Sequence, residues 1–111
     1  MKDKMWVVLA CVLCALPLEA KEWLIDVRTP EEFATEHVSG ALNIEYQQIV
    51  SGLQLLGGSK HDLVRLYCRS GRRAGLAREA LLQAGYPQVE NLGSLAEAEA
   101  WQASYRLGSG K

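Results

Sequence analysis

The chain has 111 residues, 12 Lys+Arg against 13 Asp+Glu, a net charge of −1 and 49% hydrophobic residues. That length suits one domain and excludes a two-domain enzyme. The near-neutral balance excludes a global basic footprint for nucleic acid, and a charged fraction of 23% excludes a chain disordered by composition.

In chain order, Lys2 and Lys4 make a short basic start, and the uncharged run MWVVLACVLCAL follows over residues 5–16. Pro17 ends the run, and Leu18-Glu19-Ala20 comes next. A basic start, an apolar stretch of roughly 7–15 residues and a small residue at the cut are the marks of an export signal. Residues 1–20 are therefore expected to be a signal peptide, cut after Ala20. The run falls short of the about 20 apolar residues that span a bilayer, so no membrane attachment is expected after cleavage. The three cysteines then cease to be an odd disulfide set. Cys11 and Cys14 leave with the signal, and Cys68 is the one thiol left, to be buried or used in an oxidising compartment.

Trp23–Val27 reads as a buried strand. Thr29-Pro30-Glu31-Glu32 is a capping box with proline at the first helical position, which predicts a helix over Pro30–His37. Ser39-Gly40 is a turn, and Ala41–Ile44 a second short strand. Tyr46, Ile49, Val50 and Leu53 recur at helical spacing within Glu45–Leu56, and Gly57-Gly58-Ser59 ends that helix. Leu63–Cys68 is the clearest strand. A helix is expected from Arg72 to Ala84, with Ala74, Ala77, Leu81 and Ala84 on one face and Gly85 as its stop. Val89–Leu92 is a further strand. Ser94 and Glu97 form a second capping box, opening a helix with Leu95, Ala98, Trp101 and Tyr105 on one face. Residues 107–111 are expected to be a flexible tail. Strands that alternate with helices predict an α/β fold, a small parallel sheet flanked by helices on both faces.

Ligands of parallel α/β folds sit at the carboxyl ends of the strands. Cys68 ends the best strand a few residues before a helix, whose N-terminus favours anions and a thiolate over a thiol. Arg69, Arg72 and Arg73 place three cations within five residues. A thiolate that meets an anionic substrate fits this arrangement better than a core cysteine beside a solvated arginine turn. No metal set is visible, because His37 and His61 lie far apart beside one cysteine. Asp26 and Arg28 are expected to brace the sheet end as a buried pair, His37 to be a hydrogen-bonded structural residue, and Trp23 and Trp101 to pack.

Asp26-Val27-Arg28, Glu32-Phe33 and His37-Val38-Ser39-Gly40-Ala41-Leu42-Asn43-Ile44 resemble the opening signature of rhodanese domains. Cys68-Arg69-Ser70-Gly71-Arg72-Arg73 resembles their six-residue loop, and Ala84-Gly85-Tyr86, Val89–Gly93 and Trp101 their closing segment. The resemblance covers nearly all of Lys21–Lys111. It implies a rhodanese-like fold and a periplasmic thiosulfate sulfurtransferase, monomeric and without a cofactor, in which Cys68 takes a sulfur as a persulfide and passes it to cyanide or a thiol. Matched residue by residue, Cys68 is the nucleophile, Arg69, Ser70, Gly71, Arg72 and Arg73 form the cradle, and Arg72 and Arg73 grip the donor's oxyanions. Two departures stand out. Gly93-Ser94 replaces a usual pair of glycines, and the strand and helix that precede Asp26 in longer relatives are truncated, which predicts fewer strands. Three alternatives remain. A Cys-dependent phosphatase or arsenate reductase would need arginine at position 74, where this chain has Ala74. A binding or persulfide-carrier module would dispense with turnover. A redox sensor would need a resolving cysteine.

Overall fold

The computed structural model describes residues 20–109. The expected signal peptide, with Cys11 and Cys14, lies outside them except for Ala20. Four strands form one sheet: β1 (Glu22–Asp26), β2 (Leu42–Asn43), β3 (Leu63–Cys68) and β4 (Val89–Ser94). Their order is β2-β1-β3-β4 and all pairs are parallel. Helices α1 (Pro30–Thr35), α2 (Ile49–Leu55), α3 (Arg72–Gln83) and α4 (Leu95–Ser109) cover it.

The strand period of two assigns the faces. Ile25, Val27, Val64, Leu66 and Cys68 pack with Ile49 and Leu53 of α2 and with Ala74, Ala77 and Leu81 of α3. Leu24 and Tyr67 point the other way, onto Phe33 of α1 and Leu95 and Ala98 of α4. Helices therefore lie on both faces, as the alternating pattern predicts. Ala74 and Ala77 of α3 are fully buried, and their small side chains let that helix sit close to β3.

Several boundaries differ from the sequence reading for local reasons. Helix α1 ends at Thr35, and Glu36 is extended there, so His37 lies outside it. The helix expected over Glu45–Leu56 is a 3-10 turn at Tyr46–Gln48 followed by α2, with no side-chain cap at either start. Strand β2 has two residues instead of four. Strand β4 runs two residues further than expected, through a register shift opposite Leu66/Tyr67 that leaves Leu92 without a partner in the ladder. Helix α4 continues through Ser109, into the segment expected to be loose. Both capping boxes form. Thr29 Oγ1 accepts from Glu32 N at 3.2 Å while Glu32 Oε1 accepts from Thr29 N, and Ser94 exchanges the same two bonds with Glu97.

The chain runs from β1 to β2 on one side and returns to β3 on the other. The crevice outside the carboxyl ends of β1 and β3 is thus the switch point of the sheet, where ligands of open α/β sheets bind. Arg28 follows β1 and Cys68 ends β3 there.

Candidate functional site

Cys68 closes the core at the end of β3 and is 1% exposed, whereas Arg69 and Ser70 are exposed. The thiol is unpaired. Its Sγ accepts the backbone N–H of Gly71 at 2.9 Å. Gly71 is the N-cap of α3, with a left-handed φ of +92° and no side-chain cap. The sulfur, three residues earlier, therefore occupies the role of a capping acceptor on a twelve-residue helix, where the dipole favours negative charge. A Cβ on Gly71 would meet Gly93 Cα at 3.3 Å, so glycine is required by both conformation and space.

The three loop arginines divide. No hydrogen bond or ion pair among the described residues engages Arg69 or Arg72, and both are exposed. Arg73 differs from the expectation of a cation held ready for a ligand. Its Nη1 and Nη2 donate to Glu32 Oε1 and Oε2 at 2.8 and 3.1 Å, tying the loop to α1. That bond raises the Arg73 pKa, burial opposes it, and the charge of Cys68 adds a smaller favourable effect.

Glu32 is held at about 2, first by Arg73, against the cost of burial, with help from the Thr29 N–H and hydroxyl. The folded value lies below the ordinary 4.5, so the carboxylate's contribution to stability is complete above about pH 5 and is lost as pH falls toward 2. Glu32→Gln is expected to cost on the order of 1 kcal/mol at pH 7 and to flatten the fall of Tm between pH 5 and 2. Thermal melts across that range check it, and a parallel acid limb in both proteins would contradict it.

Asp26 and Arg28 form the expected buried pair. Arg28 Nη2 donates to Asp26 Oδ2 at 2.7 Å, Arg28 Nε and N donate to Oδ1 at 2.9 Å, and Nη2 also reaches Glu36 O. The guanidinium lies 5.9 Å from the centre of the Tyr67 ring. Burial, ahead of other causes, pushes the Tyr67 hydroxyl up, and it accepts from Val38 N at 3.0 Å. His37 is exposed, stacks on Phe33 at 3.7 Å and hydrogen-bonds Phe33 O through Nδ1. Its contacts are within its own segment. Trp23 donates to Asp62, and Trp101 lies beneath the buried Arg65.

Beside the loop is an open cleft of about 450 Å³, lined by Arg28, Glu32, Glu36 and Arg69 and by Ser94 and Leu95 at the start of α4. Among the described residues no three His, Cys, Asp or Glu side chains come together as a metal set, and no helix is long and apolar enough to cross a membrane. Two buried ionic groups escaped the sequence reading. Asp62 accepts from Lys21 N, Trp23 Nε1 and Ser59 N; burial pushes its pKa up, but these donors outweigh it and hold the carboxyl low. Arg65 bridges Glu22 and Glu90. A third residue, Asn91, touches the Cys68 loop itself: its Nδ2 donates to Gly71 O at 2.9 Å. Its place three residues before a Ser94 cap gave no sign of that contact.

The sequence profile of the rhodanese-like domain matches residues 14–102. Over 81 residues the chain is 43% identical to thiosulfate sulfurtransferase PspE of Escherichia coli K12, covering 73% of this chain and 78% of that one. It is 35% identical over 79 residues to a putative mitochondrial thiosulfate sulfurtransferase of Schizosaccharomyces pombe, covering 61% and 56%. Among solved structures, a rhodanese with anions from E. coli superposes with a TM-score of 0.65 at 42% identity, covering 68% of this chain and 89% of that chain.

Proposed function

Because this chain belongs to the rhodanese-like domain family, we propose that it is a thiosulfate sulfurtransferase working through a persulfide on Cys68. The observation that carries the reading is the Cys68 sulfur on the Gly71 N–H, at the start of α3 and beside Arg69 and Arg72, which have no hydrogen bond or ion pair among the described residues. The names of the similar proteins support the donor, and the E. coli relative was solved with anions.

The Cys68 thiolate attacks the outer sulfur of thiosulfate. A bond forms between Sγ and that sulfur, the bond to the sulfonate sulfur breaks, and its electron pair leaves with sulfite. Charge is conserved: thiolate and thiosulfate dianion give a persulfide anion and sulfite dianion. Cyanide or a thiolate then attacks the outer sulfur and regenerates the Cys68 thiolate. Two easier displacements replace one direct transfer. The Gly71 N–H and the dipole of α3 stabilise negative charge on the sulfur at both stages. Arg69 and Arg72 supply cations for the sulfonate oxygens, and Arg73, held by Glu32, fixes the far side of the loop. The basic and apolar run of residues 2–16 supports export of the protein to the periplasm.

The test is the mass of the Cys68 peptide after incubation with thiosulfate. A gain of one sulfur that cyanide removes as thiocyanate supports the reading; no gain, with phosphate release from an aryl phosphate, overturns it. The arginines separate by a second measurement. Arg72→Ala is expected to raise KM for thiosulfate about ten-fold with Tm unchanged, the loss of one charge-assisted hydrogen bond. Arg73→Ala is expected to lower Tm as well, because it strips Glu32 of its partner. Unchanged KM in Arg72→Ala would refute its part in the anion grip.

A further inference from the structure

Asn91 stands on β4, outside the loop, yet its side chain joins two backbones that meet behind Cys68. Its Nδ2 donates to Gly71 O at 2.9 Å, and its Oδ1 accepts Gly93 N at 2.8 Å. Gly71 O also accepts the first helical bond of α3, from Gly75 N at 2.9 Å. The register shift between Leu66 and Tyr67 places Asn91 opposite Leu66 and Gly93 opposite Tyr67, so the bulge brings both to the loop.

We infer that Asn91 is a positioning residue, which holds the Gly71 peptide so that its N–H stays on the Cys68 sulfur. The Gly71 N–H and carbonyl belong to successive peptide units joined at one α-carbon, so a carbonyl held by Asn91 Nδ2 and Gly75 N fixes one side of the joint from which the N–H points to Sγ. Gly71 has no side chain to hold it, and at φ +92° its backbone has more freedom than any other residue would. The Asn91 amide adds a second restraint, from a strand of the sheet, to the Gly75 N–H that already holds the same carbonyl. The effect reaches the sulfur through the Gly71 N–H, without Asn91 touching it. Its consequence for turnover rests on the reading of Cys68 as the sulfur-carrying nucleophile.

Two variants separate positioning from plain support. Asn91→Ala removes both bonds. Asn91→Asp keeps an acceptor for Gly93 N and removes the donor to Gly71 O. The readout is the iodoacetamide alkylation rate of Cys68 in the full chain at pH 7, followed on the Cys68 peptide, with Tm measured alongside. Both variants are expected to alkylate about five-fold more slowly, the worth of one hydrogen bond. A fall of less than two-fold in Asn91→Ala overturns the inference whatever its Tm. Slowing in Asn91→Asp alone also overturns it, because added charge then accounts for the effect. Alkylation needs no sulfur donor. Slow alkylation in the variants, with no sulfur gained from thiosulfate by the wild type, would keep the positioning role and discard the sulfurtransferase reading.

Discussion

Cys68→Ser is expected to lower thiosulfate:cyanide transfer by about 10³-fold or more, to the level of the uncatalysed reaction, and to leave the peptide without added sulfur. A hydroxyl at neutral pH is almost wholly protonated, and an oxygen–sulfur adduct does not hand its sulfur on as a persulfide does. The fold is expected to tolerate the change. Cys68 is 1% exposed, but its sulfur already accepts a hydrogen bond from Gly71 N, which a serine oxygen can accept as well. The Tm of Cys68→Ser should therefore stay within a few degrees of wild type while turnover vanishes. Retained transfer would mean that the loop holds thiosulfate for direct attack by the acceptor, and the covalent scheme would be wrong.

Much of the frame is legible in the sequence because it rests on short-range chemistry. Thr29-Pro30-Glu31-Glu32 and Ser94…Glu97 announce their helix starts, since a capping box is complete within four residues. Leu63–Cys68 is seen at its true bounds because a central parallel strand, buried on both faces, reads as a nearly continuous apolar run. The same logic puts Cys68 at a strand-to-helix junction. What stays hidden depends on contacts across the sheet. Arg73 looks like Arg72 in a linear reading, yet one meets Glu32, 41 positions away, and the other has no hydrogen bond or ion pair among the described residues. Asn91 reads as an ordinary strand residue until the β4 bulge carries it to Gly71. Arg65, in the middle of an apolar strand, reads as an interruption. It is buried because Glu22 and Glu90 on the flanking strands pair with it and because Trp101 and Tyr105 of α4 lie against its guanidinium.

The largest loss of stability is expected from Arg28→Ala. Asp26 is fully buried and Arg28 is 6% exposed, and three Arg28 donors converge on one carboxylate. Removing the guanidinium leaves Asp26 with the Arg28 backbone N–H and strips the Glu36 carbonyl of its donor. Breaking a buried pair in this way costs about 3–5 kcal/mol, far more than the pair contributes over a well-packed apolar replacement, because the cost is that of an uncompensated charge. For a domain of this size about 1 kcal/mol moves Tm by roughly 4–8 °C, so the variant is expected to melt more than about 12 °C below wild type. Arg28→Lys should recover only part of this, since one ammonium cannot reproduce a planar fork on both carboxylate oxygens. The double change Asp26→Asn with Arg28→Met removes both charges and is expected to be more stable than Arg28→Ala alone, a reversal that additive losses cannot give. Urea unfolding at pH 7 measures all three. A loss below about 1 kcal/mol for Arg28→Ala would show that water reaches Asp26, and the pair would then be a surface contact at the floor of the cleft rather than the brace that sets β1 against the Cys68 loop.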